Sequence, residues 1–182
     1  MFLSFLLMIR QLFPEFARNL VDGEDMCLLP YSSGTTGSPK GVMIPHRSYG
    51  TMVEMHAILF RDEIYSAIGY PNADLSKECH IVVAPMYYLV GAVTTMLGLK
   101  NGFTTITFAK FRPETFCAAV EKYKPKTLFL FPTLLGFLAK ADIVSKFDMT
   151  SVRYFLCGGS PMDENVFAEF FKRHPYVQYA SQ

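Results

Sequence analysis

Hydrophobic and polar positions along the chain follow a pattern that predicts a parallel sheet flanked by helices. From Cys27 onward, short apolar or β-branched runs are separated by segments in which apolar residues recur at helical spacing. Most of the short runs are almost continuously apolar, as strands are when helices cover both faces of a sheet. The fold class is therefore predicted to be α/β. The predicted strands span residues 26–31, 80–84, 103–108, 127–131, 153–157 and 177–180.

The helix predicted most clearly spans residues 113–123. Pro113 suits a first turn, Glu114 lies near the positive end of the helix dipole, and Lys124-Pro125 ends the segment. A second helix is predicted over 163–173, with Asp163 as a plausible N-cap and an apolar stripe that would pack on the sheet. Further helices are expected over about 47–60 and 88–100, and from Pro132. The apolar stripe of the 163–173 helix consists of Val166, Phe167, Phe170 and Phe171.

Composition narrows the class of protein. The chain has 182 residues, 51% of them apolar, and a formal net charge of +1, which favours one globular core and makes nucleic acid and anionic membranes poor partners. The four cysteines and four histidines show no metal-ligand spacing, and the cysteines give no disulfide framework, so the thiols are typical of a reducing compartment. Residues 2–9 are apolar but too short to span a bilayer. A buried or cut-off helix, a weak membrane-surface segment and a signal peptide stay open for them.

The segment 31–42 carries the clearest candidate chemistry. It reads Tyr-Ser-Ser-Gly-Thr-Thr-Gly-Ser-Pro-Lys-Gly-Val after a predicted strand. Glycines let the backbone N–H groups turn toward an anion, hydroxyl groups add donors, and Lys40 adds a cation. The segment is therefore a candidate polyphosphate cradle, with a plain turn as the alternative. It is not a Walker A loop, because Pro39 precedes Lys40 and no Gly-Lys-Ser/Thr follows the required spacer.

This string, followed by Pro45-His46-Arg47, resembles the nucleotide-phosphate signature of the AMP-forming adenylating enzymes, which include acyl-CoA synthetases, coumarate-CoA ligases and beetle luciferases. The resemblance covers residues 23–182 and implies a partial N-terminal domain of an AMP-dependent synthetase/ligase, preceded by an apolar segment at 1–22. It implies that ATP binds with Mg²⁺ held through the phosphates; no residue of this chain is predicted to ligate a metal. The phosphate-binding residues it implies are Ser32, Ser33, Gly34, Thr35, Thr36, Gly37 and Lys40.

Four further segments resemble the family in the same order along the chain. Residues 84–91 imply that Tyr88 lines the acyl pocket, where many ligases carry a histidine, and residues 109–111 imply that Lys110 faces CoA. No acidic residue lies between Ile81 and Lys100, which favours a fatty or aryl acid over an amino acid. Gly158, Gly159, Ser160, Pro161 and Gln182 are implied beside the adenine and the acyl-adenylate.

The resemblance implies that the full-length protein is an ATP-dependent ligase. It would join a carboxylic acid to AMP as an acyl-adenylate, release pyrophosphate, and pass the acyl group to CoA. The family's later motifs would follow Gln182, so we expect a fragment of such a ligase that is inactive by itself and whose partners include the remainder of its domain. A truncated paralogue that acts as a phosphate-binding or interaction module is the alternative. With no targeting signal visible, a cytoplasmic or peroxisomal location without firm membrane association is expected.

Overall fold

A computed structural model describes residues 21–32 and 37–181, and the chain divides into two units, residues 1–55 and 56–182. In the first unit, β1 (Met26–Leu28) pairs antiparallel with β4 (Ile44–Pro45), and β2 (Tyr31–Ser32) pairs antiparallel with β3 (Lys40–Gly41). The single strand predicted over 26–31 is therefore wrong. Pro30 has no N–H to donate to a strand partner, and it separates two short strands that pair with different partners.

The second unit contains the parallel strands that the hydrophobic pattern predicts. Strands β5 and β6 pair in parallel, β5 also contacts β7, and β7, β8 and β9 form a parallel sheet in that order. Each predicted strand after residue 56 is present, with ends that differ by one or two residues. The five strands are β5 (Cys79–Val82), β6 (Thr104–Thr107), β7 (Thr127–Leu130), β8 (Tyr154–Cys157) and β9 (Tyr179–Ser181).

The helices are α1 (His46–Ile58), α2 (Tyr65–Ala67), α3 (Leu89–Asn101), α4 (Pro113–Tyr123), α5 (Pro132–Lys140) and α6 (Glu164–Arg173). Short 3₁₀ helices span Leu75–Lys77 and Asp142–Lys146. Helix α4 has the predicted bounds and ends where Lys124 takes a left-handed φ of 51°. Asp163 caps α6 by accepting a hydrogen bond from the Asn165 N–H at 2.8 Å, as predicted.

The end predicted for the helix over 47–60 is wrong. A π-helix spans Leu59–Ile64 directly after α1, and α2 continues from it. Arg61, Asp62 and Glu63 are polar and suggest a helix end at Phe60 in the sequence. Phe60 and Ile64 are nevertheless buried. The backbone stays helical past Phe60 because both side chains pack in the core, and the π-helix accommodates them.

Strands β7 and β8 place successive side chains in two different hydrophobic clusters, because side chains alternate across a strand. Leu128 and Phe155 belong to one cluster with α4, α5 and α6. Tyr154 belongs to the other with Phe60 and Leu97, and Phe129 packs against it. Both faces of the sheet are thus covered, which leaves its edge at the carboxyl ends of the strands open for a site. No helix in the described residues is long and apolar enough to cross a membrane.

Candidate functional site

The candidate phosphate cradle forms a hairpin in the first unit. Ser32 pairs with Lys40 across the antiparallel arms, and the Ser32 hydroxyl donates to the Lys40 carbonyl at 3.5 Å. The hairpin base is closed by the Val42 N–H, which donates to the Pro30 carbonyl at 2.9 Å. Four of the predicted residues, Ser33, Gly34, Thr35 and Thr36, lie outside the described residues. The structure thus brings Ser32 and Lys40 to opposite arms of one loop.

Two glycines in this hairpin occupy positions that restrict other residues. Gly37 has a φ of 138°, a conformation that side chains with a Cβ rarely adopt. At Gly41 a Cβ would lie 3.2 Å from the Leu29 Cδ1, so that arm packs closely on the preceding segment. Lys40 is exposed on the same arm. A hydroxyl, a glycine turn and an exposed ammonium group on one hairpin form a donor set that fits a polyphosphate.

The predicted adenine-side turn follows β8 in the second unit. The Gly158 N–H donates to the Leu130 carbonyl at 3.2 Å, which holds the turn beside the end of β7. Gly159 has a φ of 96°, and a Cβ there would lie 3.4 Å from the Phe131 Cδ1. The conformation therefore favours glycine at this position, while the distance to Phe131 is an ordinary van der Waals contact. Ser160 and Pro161 are exposed on the same turn.

A cavity of about 240 Å³ opens next to this turn. Met162 and Glu164, which follow the turn, form one side of the cavity, and Ala180 and Ser181 of β9 form another. The predicted residue Gln182 comes directly after Ser181 but lies outside the described residues. The structure therefore brings the segment after Pro161 to the strand that leads into Gln182. The contributions of Glu164 and Ser181 were not predicted, since they depend on the packing of α6 against β9.

Tyr88 lies between the end of β5 and the start of α3. Its N–H donates to the Pro85 carbonyl at 3.0 Å, closing a tight turn. Gly91 lies so close to this turn that a Cβ would be 2.1 Å from the Pro85 carbonyl oxygen. The Tyr88 side chain is 59% exposed, and its ring lies 4.7 Å from that of Tyr87. The close approach of α3 thus sets the position of an exposed aromatic side chain.

A second cavity of about 240 Å³ lies at the ends of three strands. Its walls include Val83 after β5, Phe111 after β6, and Phe131 after β7, together with Thr133, Leu134 and Phe137 of α5. Lys110, the predicted CoA-facing residue, is exposed directly before Phe111. The carboxyl ends of β5, β6 and β7 therefore meet around one apolar cavity. Ligands of open α/β sheets bind at this edge.

Burial shifts the pKa values of cysteine thiols inside the second unit. Burial raises the pKa of the Cys117 thiol to about 11 and also raises that of Cys157. All four cysteines lie in the described residues and are free thiols. Within the described residues, no group of three or more His, Cys, Asp or Glu side chains could hold a metal ion.

Comparison with known proteins gives the family. A family model described as AMP-binding enzyme matches residues 9–180. The chain belongs to this family. It is 37% identical over 142 residues to acyl-CoA synthetase 7 of Caenorhabditis elegans, which covers 78% of this chain and 26% of the relative. It is 29% identical over 153 residues to 4-coumarate–CoA ligase 2 of Petroselinum crispum, covering 84% of this chain and 27% of the relative.

Solved structures of AMP-binding enzymes confirm the fold. A natural red-emitting luciferase from Phrixothrix hirtus matches with a TM-score of 0.70 and 28% sequence identity, over 85% of this chain and 28% of the luciferase. The predicted α/β class and family are therefore confirmed. The chain spans about a quarter of the length of the curated relatives it matches. The activity of a whole AMP-binding enzyme is accordingly a proposal for this chain.

Proposed function

We propose that this chain supplies the ATP-phosphate site and part of the acyl and CoA sites of an AMP-forming acid–thiol ligase. The observation that carries the proposal is the hairpin that sets Ser32, Gly37 and Lys40 on one loop. Family membership and the names of two relatives, an acyl-CoA synthetase and a coumarate-CoA ligase, support the same chemistry. The substrate would be a carboxylic acid, activated as an acyl-adenylate and passed to CoA.

The proposed role of the hairpin is to neutralise charge on the phosphates. Bound ATP would supply the adenylyl group, with Mg²⁺ held through its phosphate oxygens. Lys40 places an ammonium group beside the loop, and the backbone N–H groups around Gly37 add donors. The Ser32 hydroxyl would exchange its long hydrogen bond to the Lys40 carbonyl for one to a phosphate oxygen. Negative charge that builds up as pyrophosphate leaves would thus meet fixed donors. The proposed cradle consists of Ser32, Ser33, Gly34, Thr35, Thr36, Gly37 and Lys40.

The second unit would hold the rest of the substrates at its open edge. Gly158, Gly159, Ser160, Pro161 and Gln182 are proposed for the adenine and acyl-adenylate side, and Tyr88 for the wall of the acyl pocket. A phenol can stack on an acyl group and donate one hydrogen bond, but it does not replace an imidazole in proton transfer near neutral pH. The segment from Ile81 to Lys100 lacks acidic side chains, which supports a fatty or aryl acid.

A crossed binding experiment tests these roles. Lys40→Ala should raise the Kd for ATP by about tenfold or more, since a hydrogen bond to a charged group contributes roughly 1.5–3 kcal/mol. Lys110→Ala should weaken CoA binding and leave ATP binding unchanged. Lys172→Ala removes an exposed lysine of α6 and serves as the charge control. Unchanged ATP affinity in Lys40→Ala would refute the cradle, and equal effects of all three variants would indicate nonspecific charge attraction.

A second candidate function is phosphate binding without catalysis. It is favoured by the position of the hairpin inside residues 1–55, a unit that contains none of the proposed adenine, acyl or CoA residues. A pyrophosphate-exchange assay distinguishes the two functions. A ligase that forms acyl-adenylates exchanges labelled pyrophosphate into ATP only when its acid is present. A phosphate-binding module binds pyrophosphate but shows no acid-dependent exchange.

A further inference from the structure

A side-chain hydrogen bond joins the start of β8 to the end of β9. The hydroxyl groups of Tyr154 and Ser181 are hydrogen-bonded to each other. In the register of the two strands, Tyr154 is opposite Tyr179 and Leu156 is opposite Ser181. The Tyr154 side chain therefore reaches two residues along the neighbouring strand, toward its carboxyl end. Tyr154 is 7% exposed, whereas Ser181 is exposed.

The Tyr154 ring is held on its other sides by aromatic packing. Phe60 lies 6.5 Å away in an edge-on arrangement at 84°, and Phe60 stacks on Phe129 at 5.5 Å. A ring packed in this way has few other positions to occupy, so its hydroxyl is a fixed point for Ser181. The backbone bonds from Gln178 and Tyr179 to the Arg153 carbonyl, at 2.8 and 3.3 Å, fasten the beginning of β9. The Tyr154 hydroxyl fastens its end.

From this geometry we propose that Tyr154 is a positioning residue for the nucleotide site, acting through Ser181; this inference rests on the proposed function. Ser181 and Ala180 line the cavity whose other side is formed by Met162 and Glu164, just after the adenine-side turn. A shift of the β9 end changes the shape of that cavity. The hydroxyl of Tyr154 thereby holds one wall of the base-binding side in place without touching the nucleotide.

The residues proposed for the base and those proposed for the phosphates lie in different units. Tyr154 and Ser181 belong to the second unit, whereas the phosphate hairpin belongs to the first. Loss of the hydrogen bond should therefore weaken binding of AMP, which depends on the base-binding side. It should leave binding of inorganic tripolyphosphate, which contacts only the cradle, unchanged.

The test compares Tyr154→Phe, Ser181→Ala and the double variant in the 182-residue chain by titration calorimetry with AMP and with tripolyphosphate. Each single variant should raise the Kd for AMP by about threefold to tenfold, the range expected for one hydrogen bond, and the double variant should be no weaker than the singles. Hydrogen exchange of the amides of residues 179–181 should become faster in Tyr154→Phe.

Tyr65→Phe is the matched control. The Tyr65 hydroxyl is buried in the same cluster, and the groups that act on it, Glu78, Cys79 and Thr127, do not lie on β9. Its removal should change neither AMP affinity nor exchange in β9. If Tyr65→Phe weakened AMP binding as much as Tyr154→Phe does, the proposal would be overturned, because the effect would then come from the cluster as a whole.

The remaining outcomes distinguish failure of the positioning role from failure of the proposed function. If the unmodified chain binds AMP and Tyr154→Phe binds it equally well, the positioning role is refuted while the proposed function stands. If Tyr154→Phe weakens AMP binding and Ser181→Ala does not, Tyr154 acts by another route and the proposal fails. If the unmodified chain binds neither AMP nor tripolyphosphate, the proposed function fails, and the positioning role fails with it.

Discussion

Gly98→Ala tests how closely α3 packs on the parallel sheet. An ideal Cβ on Gly98 would lie 2.4 Å from the Thr105 Oγ1 and 3.5 Å from the His80 Cδ2. Carbon and oxygen atoms do not approach to 2.4 Å without a bond, so the helix or Thr105 must move. Thr105 lies on β6 directly opposite His80 of β5, and both face the helix from the sheet. The added methyl group thus acts on the helix–sheet interface itself.

Two opposing effects determine how Gly98→Ala changes the free energy of unfolding. Alanine in place of glycine inside a helix stabilises the fold by about 1 kcal/mol, since the unfolded chain loses conformational freedom. Overpacking a tight interface costs about 1–3 kcal/mol. The net expectation for Gly98→Ala is a loss of up to about 2 kcal/mol from the free energy of unfolding. Gly136→Ala on α5 is the matched control, because its Cβ would meet only the Val166 Cγ1 at 3.9 Å. It should stabilise by up to about 1 kcal/mol.

Urea unfolding followed by far-UV circular dichroism measures these differences. The double variant Gly98→Ala, Thr105→Ala removes the atom that the new Cβ meets, so it should recover at least about 1 kcal/mol relative to the sum of the single variants. The reasoning would be refuted if Gly98→Ala were as stable as Gly136→Ala. It would also be refuted if the Thr105→Ala background gave no recovery.

Three further outcomes are expected. Lys126→Met should cost about 2–3 kcal/mol in urea unfolding, because it leaves the partly buried Glu78 without its ion-pair partner and removes an ammonium group 4.6 Å from the Tyr70 ring centroid; adding Glu78→Gln should restore part of this loss. Burial lowers the pKa of His80 to about 4, so the unfolded chain binds the proton more tightly than the folded chain. As the pH is lowered from about 6.5 to 4, the free energy of unfolding should therefore fall by roughly 1.4 kcal/mol per pH unit. His80→Phe should flatten this dependence in unfolding curves measured across that range, leaving a smaller slope from His174, whose pKa burial also lowers. Gly91→Ala should displace the Pro85–Tyr88 turn, because the clash is with a backbone oxygen, and faster hydrogen exchange of the Tyr88 amide would show it.

Much of the second unit could be predicted from the sequence because its signals are local. Pro113 in the first turn and Lys124-Pro125 after the last turn mark both ends of α4, and Asp163 marks the start of α6. The continuation of helical backbone through Leu59–Ile64 could not be predicted in this way. Its polar residues suggest a helix end, and only the burial of Phe60 and Ile64 in the folded chain explains the continuation.

The candidate site shows the same contrast between local signals and long-range contacts. The segments proposed for the cradle and the adenine side are contiguous strings, so the sequence alone suffices to propose them. The contacts of Tyr154 with Ser181 and of Glu78 with Lys126 join residues 27 and 48 positions apart. Such pairs depend on strand register and on the packing of side chains between elements, and neither can be predicted from a short segment of sequence.

The two ends of the parallel strands differ in how their polar groups are satisfied, and this difference itself supports a ligand site. Before the strands begin, Glu78 pairs with Lys126, and the Arg153 side chain donates to the Thr150 carbonyl at 2.6 Å. After the strands end, Tyr88, Lys110 and Ser160 are exposed, and residues that follow the strands line two open cavities. Exposed aromatic, cationic and hydroxyl groups at the carboxyl ends of the strands agree with the site proposed there, because ligands of open α/β sheets bind at this edge.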